Sequence, residues 1–146
     1  MTAKEYLMQV RVLASKVRSL DEEITALREE QASIRSAWPD GQPHGSGTTD
    51  PTGVMATRLA DQLLRAETEL ISLRSQLWAK RMSIIDTISK VTKAEHNRLL
   101  YLRYVQCRSW EEIAVEMHYT YRWITSLHGQ ALQEVEKILH GGNSSY

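Results

Sequence analysis

The stretch "SWEEIAVEMHYTYRWITSLHG", residues 109–129, has the pattern of two helices separated by a tight turn. Ser109 followed three residues later by Glu112 is a capping box, which starts a helix by satisfying backbone N–H groups that have no partner in the first turn. Ile113, Ala114 and Met117 then recur at helical spacing and form one apolar face. Ala114 is small, as close crossing by another helix requires. His118 and Tyr119 fill the turn. Glycine is usual where the backbone goes to positive φ, but histidine tolerates that region better than most residues. Thr120 caps the second helix, whose Ile124, Leu127, Ala131 and Val135 face inward. That leaves Tyr121, Arg122, Thr125, Ser126, Gly129 and Gln130 pointing outward or flanking the inner face. In a helix-turn-helix, these early outward positions reach base edges and phosphates.

Working outward from the motif, Thr92 and Glu95 form a second capping box in "TKAE". It opens a helix, "EHNRLLYLRYV", with Leu99, Leu102 and Tyr104 or Val105 turned inward. Earlier in the chain the periodicity changes from one short amphipathic face to long heptads. Tyr6, Val10, Leu13, Val17, Leu20, Ile24, Leu27, Gln31 and Ile34 alternate in steps of four and three, the seam of a coiled coil. Thr2 and Glu5 cap its start. A second seam runs through Leu59, Leu63, Ala66, Leu70, Leu73, Leu77, Ile84 and Val91. Between the two lies "WPDGQPHGSGTTDPTG", residues 38–53, with all three prolines and most of the glycines, which reads as a mobile surface loop. Asp50 and Pro51 can cap and open the helix after it. The expected fold is all-α: a long antiparallel coiled-coil helical hairpin followed by a C-terminal helix-turn-helix domain. The boundaries are residues 1–37 for the first helix, 38–53 for the loop, 54–91 for the second helix, 92–140 for the C-terminal domain and 141–146 for a disordered tail.

The second helix has more apolar surface than one hairpin seam uses. Leu64, Ile71, Trp78 and Ile85 repeat at seven-residue spacing beside the seam, with Ile88 next to them. Such a row needs a partner. The first helix has matching extra residues only near its start, at Leu7, Met8 and Val12. Either the C-terminal domain docks there, or two hairpins associate. The reach of Leu64 and Ile71 along the stalk favours association, with the row as a homodimer interface.

Composition narrows the function classes. The chain has 146 residues, 18 basic and 18 acidic, and no run of 18 or more apolar residues, so no transmembrane helix is expected. The start lacks the pattern of a signal peptide. One cysteine, Cys107, excludes an internal disulfide and fits a reducing cytoplasm. The five histidines show no ligand spacing, and neither a phosphate-binding loop nor paired acids are present, so neither a cofactor nor an enzymatic role is expected. Residues 94–146 carry 5 Lys/Arg against 6 Asp/Glu. Non-specific DNA affinity comes mainly from cations that displace counterions, so a single copy of this head should bind weakly.

"SWEEIA", the "YRW" of residues 121–123 and "ALQEVEKIL" together resemble the DNA-binding region four of sigma-70-type transcription factors. With "AKEYL" at 3–7 and "LYLRY" at 100–104, the chain resembles a family of small phage and prophage proteins, in which a coiled-coil segment and a Pro/Gly/Ser-rich loop precede such a helix-turn-helix. The resemblance implies a phage-encoded transcriptional regulator in the bacterial host cytoplasm, of the sort that controls late genes, with double-stranded DNA as partner. The chain departs from the pattern at His118, where glycine is usual, and at Thr125, Ser126 and Gln130, where Lys or Arg is common. An adaptor that contacts RNA polymerase without strong DNA binding is the second reading. A small terminase subunit is the third.

Overall fold

The computed structural model describes residues 1–36 and 51–141. Most of the 38–53 loop and all but one residue of the 141–146 tail lie outside them. The described chain is all-α: α1 (Ala3–Ser36), α2 (Pro51–Ser89), α3 (Ala94–Leu100), α4 (Trp110–Met117) and α5 (Tyr121–Gly141). α2 opens at Pro51, three residues before the drawn loop boundary, as proline's preset φ at a first helical turn allows. No helix among the described residues is long and apolar enough to cross a membrane.

The residues form two compact units that cut across the expected boundaries. One comprises Ser15–Ser75; the other joins Met1–Ala14 to the chain from Gln76 onward. Within Ser15–Ser75, the α1 and α2 segments run antiparallel, as the Arg28–Glu67 (2.9 Å) and Arg74–Asp21 (3.1 Å) ion pairs require. Its core is a stripe: Leu20, Ile24, Ala66 and Leu70 are buried, with Val17, Leu27, Leu63 and Leu73 packed beside them. These are seam positions from both helices. Two helices can bury only the sides that face each other, so the stripe stays narrow.

The other unit has a rounded core. Leu7 and Val10 of α1, Ile84 and Ile88 of α2, Leu99 and Leu100 of α3, Ile113 of α4 and Ile124, Leu127, Ala131 and Val135 of α5 all belong to one buried cluster. Of the two ways of covering the extra apolar residues, docking accounts for part. Leu7 is fully buried, Met8 and Ile85 are half-buried against the same cluster, and Val12 remains exposed. Ile85 therefore leaves the proposed dimer row, because α2 near its C-terminus already has neighbours. The start of α1 is tied down as well. Thr2 and Glu5 make both bonds of the capping box (3.0 and 3.2 Å), and Ala3 N–H donates to Glu136 of α5 (2.8 Å). Tyr6 Oη shares hydrogen bonds with Ser83 (2.6 Å) and Thr87 (3.2 Å) of α2.

The expected Thr92/Glu95 capping box does not form. α3 begins after Lys93, which makes no side-chain cap. Thr92 donates both its N–H (2.9 Å) and its hydroxyl (3.0 Å) to Glu134 of α5, and Glu95 accepts from the Tyr119 hydroxyl. Tertiary partners, an acceptor for Thr92 and a donor for Glu95, have replaced the local ones. After Leu100 the helix widens into a π-helical turn, Tyr101–Val105, closed by Gln106 N–H to Tyr101 O (3.0 Å). The wider turn puts Leu102, Tyr104 and Val105 all inside, where regular helical spacing offered a choice between the last two.

Candidate nucleic-acid interface

The turn between α4 and α5 is built as its sequence suggests. Ser109 Oγ accepts the Glu112 N–H (3.2 Å) at the start of α4. At its end His118 lies in the left-handed region (φ 57°, ψ 40°). Tyr119 N–H bonds Ala114 O and His118 N–H bonds Val115 O (3.0 and 3.3 Å), which together make a Schellman motif. Thr120 Oγ1 then accepts the Trp123 N–H (3.1 Å) and starts α5. Only one residue separates the reversed His118–Tyr119 backbone from the next helix, so α5 starts with little freedom of direction.

Ile124, Leu127, Ala131 and Val135 are buried, which turns the opposite side of α5 outward. All six residues assigned to DNA contact, Tyr121, Arg122, Thr125, Ser126, Gly129 and Gln130, are exposed. Arg122 is the only Lys or Arg between residues 121 and 130. It makes no ion pair among the described residues; the nearby carboxylate of Glu116 in α4 is taken by Arg98 (3.2 Å) and Arg108 (3.3 Å). Tyr121 and Trp123 are 58% and 47% exposed, although Trp123 meets Tyr119 edge-on at 6.3 Å. Thr125 Oγ1 donates to Tyr121 O (3.0 Å), leaving its lone pairs outward. Gly129 sits in the interior of α5, and a Cβ added there would meet nothing within 4 Å.

Two polar clusters that periodicity did not reveal hold this helix in place. His128 stacks on Tyr104 (5.8 Å) and meets Trp110 edge-on (4.6 Å). Burial lowers its pKa to about 4, with the Lys4 and Arg103 cations adding to the effect. Burial likewise raises Tyr104 to about 12, against smaller opposing effects of Arg103 and Arg11. The Tyr104 hydroxyl and His128 Nε2 share a hydrogen bond of 2.6 Å. Arg103 lies 4.2 Å over the Trp110 ring and donates to Arg108 O (3.0 Å), while its own carbonyl accepts from Arg11 of α1 (3.2 Å). One network thus links α1, the π-turn, α4 and α5. Deeper along α5, buried His96 faces Glu134 at 2.8 Å. Burial alone would raise the Glu134 pKa, but hydrogen bonds from His96 and Thr92 outweigh it and bring it to about 2. The only sequence signal for either cluster was a polar residue close to an apolar face.

On the long helix, the row assigned to dimerisation is divided. Leu64, Ile71 and Trp78 are 64%, 71% and 65% exposed, whereas Ile85 is packed. No family model, no curated protein and no solved structure matches the chain.

Proposed function

We propose that the chain is a DNA-binding transcriptional regulator of the sigma region four type, of phage or prophage origin, that acts through paired copies. The observation that carries this reading is the outer face of α5. Behind the capped turn it presents Arg122, Thr125, Ser126 and Gln130, all able to hydrogen-bond phosphates or base edges. At its centre lies Gly129, which lowers helix stability by about 0.5–1 kcal/mol relative to alanine. No neighbour within the described residues demands that glycine, so a partner that must approach the backbone closely explains it.

The test is a gel shift with DNA from the gene's own neighbourhood at about 50 mM salt, where phosphate contacts are strongest. Gly129→Ala should raise the unfolding free energy and weaken DNA binding in the same protein. Arg122→Ala should weaken binding and flatten its salt dependence. Intact binding in both variants would remove this face from the interface, and no binding by the parent chain would end the DNA reading. A second reading keeps support from one observation. Arg98 and Arg108 converge on Glu116, and Arg122 is the only Lys or Arg between residues 121 and 130. A face so poor in cations also suits a protein partner such as RNA polymerase, and co-purification without DNA would distinguish this adaptor.

A further inference from the structure

We infer that the exposed row on α2 within Ser15–Ser75 is covered by the same row of a second copy, with the two α2 helices antiparallel and Leu64 set against Ser75. This deepens the reading that copies act in pairs and rests on it for its use. The row has its own repeat. Leu64, Thr68, Ile71 and Ser75 follow one another in steps of four, three and four, so they lie along one line of the helix and form a second seam, distinct from the seam buried against α1. All four are exposed. Large and small residues alternate along it.

That alternation selects the direction of pairing. In a parallel pair each residue meets its own copy, so layers of two large residues, Leu64 and Ile71, alternate with layers of two small ones, Thr68 and Ser75, whose gaps stay unfilled. In an antiparallel pair with its twofold axis between residues 69 and 70, Leu64 meets Ser75 and Thr68 meets Ile71, twice each. Every layer then combines one large with one small side chain, as close packing requires. Thr68 is suited to this burial because its hydroxyl already donates to Leu64 O at 2.8 Å.

Charge selects the same arrangement. Glu67 and Arg74 flank the row on one side. The antiparallel register brings Glu67 of each copy within about two residues, or ~3 Å along the axis, of Arg74 of the other. Glu67 already pairs with Arg28, and Arg74 with Asp21. Pairing of the copies extends these into two chains of alternating sign, Asp21–Arg74–Glu67–Arg28, each crossing the interface once. The parallel arrangement offers Glu67 only Ser72 and Arg74 only Ala79, with no such complement.

The full chain without DNA should sediment at twice its 16.7 kDa mass at about 100 µM protomer. Ile71→Glu should return it to monomer with its helical circular dichroism unchanged, because Ile71 is exposed in the single chain. Orientation is read by disulfide trapping in a Cys107→Ser background. Leu64→Cys combined with Ser75→Cys should form a covalent dimer on mild oxidation, while either substitution alone should not, since identical positions lie ~16 Å apart along the axis. A monomeric parent chain, a dimer that survives Ile71→Glu, or trapping by a single cysteine would each overturn the proposal. A monomer that still shifts DNA removes the pairing and leaves the DNA reading. A dimer that fails to shift DNA does the reverse.

Discussion

Ser15–Ser75 and the unit formed by Met1–Ala14 with the chain from Gln76 onward use the same residue types for cores of different kinds. The first centres on a cluster of four buried apolar residues from two helices, flanked by exposed ion pairs. The second centres on sixteen, contributed by all five helices, the π-turn and the link between α2 and α3. A two-helix stripe leaves each buried side chain partly walled by solvent. In the larger core, side chains such as Ile113, Ile124 and Leu99 are surrounded by protein. Stability, pH response and tolerance of mutation should therefore differ between the units.

The largest effect should come from a cavity. Ile124→Ala, at a fully buried position, should lower the unfolding free energy by about 4 kcal/mol, and Ile24→Ala in the stripe by about 2. Urea denaturation checks both values, and hydrogen exchange reports which amides lose protection. Equal losses would erase the distinction drawn between the two cores.

Acid should also act on one unit first. An unfolded histidine takes its proton near ~6.5, whereas half-buried His128 refuses it until about pH 4, with Lys4 and Arg103 as the facing cations. Between those values the unfolded chain binds a proton that the folded chain lacks. This contribution is therefore complete above pH ~6.5 and is lost progressively as the pH falls to about 4. Glu134, lowered to about 2, adds a second loss, because its carboxylate contribution disappears from ordinary carboxyl values downward. Denaturation at pH 7 and at pH 4.5 should show amides of α3–α5 destabilised while those of Ser15–Ser75 change little. A uniform loss would count against the His128 assignment.

The smallest effect sharpens the local part of the comparison. His118 is exposed and left-handed, so His118→Gly removes backbone strain without removing a contact and should raise stability by up to about 1 kcal/mol. A loss would mean that the imidazole contributes something its exposure does not suggest.

The two regions also differ in how far the sequence revealed them. In Ser15–Ser75, every heptad seam position named from the sequence is buried or half-buried, because a coiled coil repeats one local rule and needs no knowledge of a third partner. The α4–α5 turn was equally legible, since caps and a Schellman motif are set within a few residues. At Thr92 and Glu95 the same kind of local rule failed. Both side chains found partners far along the chain, in Glu134 and Tyr119. Ile85 failed for a related reason. Its spacing matched Leu64 and Ile71, but spacing cannot tell an uncovered row from one covered by the chain itself.

By itself, then, the sequence determined the helices, the caps of α1, α4 and α5, the paired heptad seams and the outward set on α5, all of which depend on residues a turn or two apart. Only the tertiary structure decided that the first fourteen residues join the C-terminal helices. It also decided that His128 and His96 lie inside polar clusters, and that the free apolar row on α2 excludes Ile85. Burial and proton affinity depend on everything within a few ångströms, and in this core those neighbours come from segments up to about 130 residues apart, as Ala3 and Glu136 do.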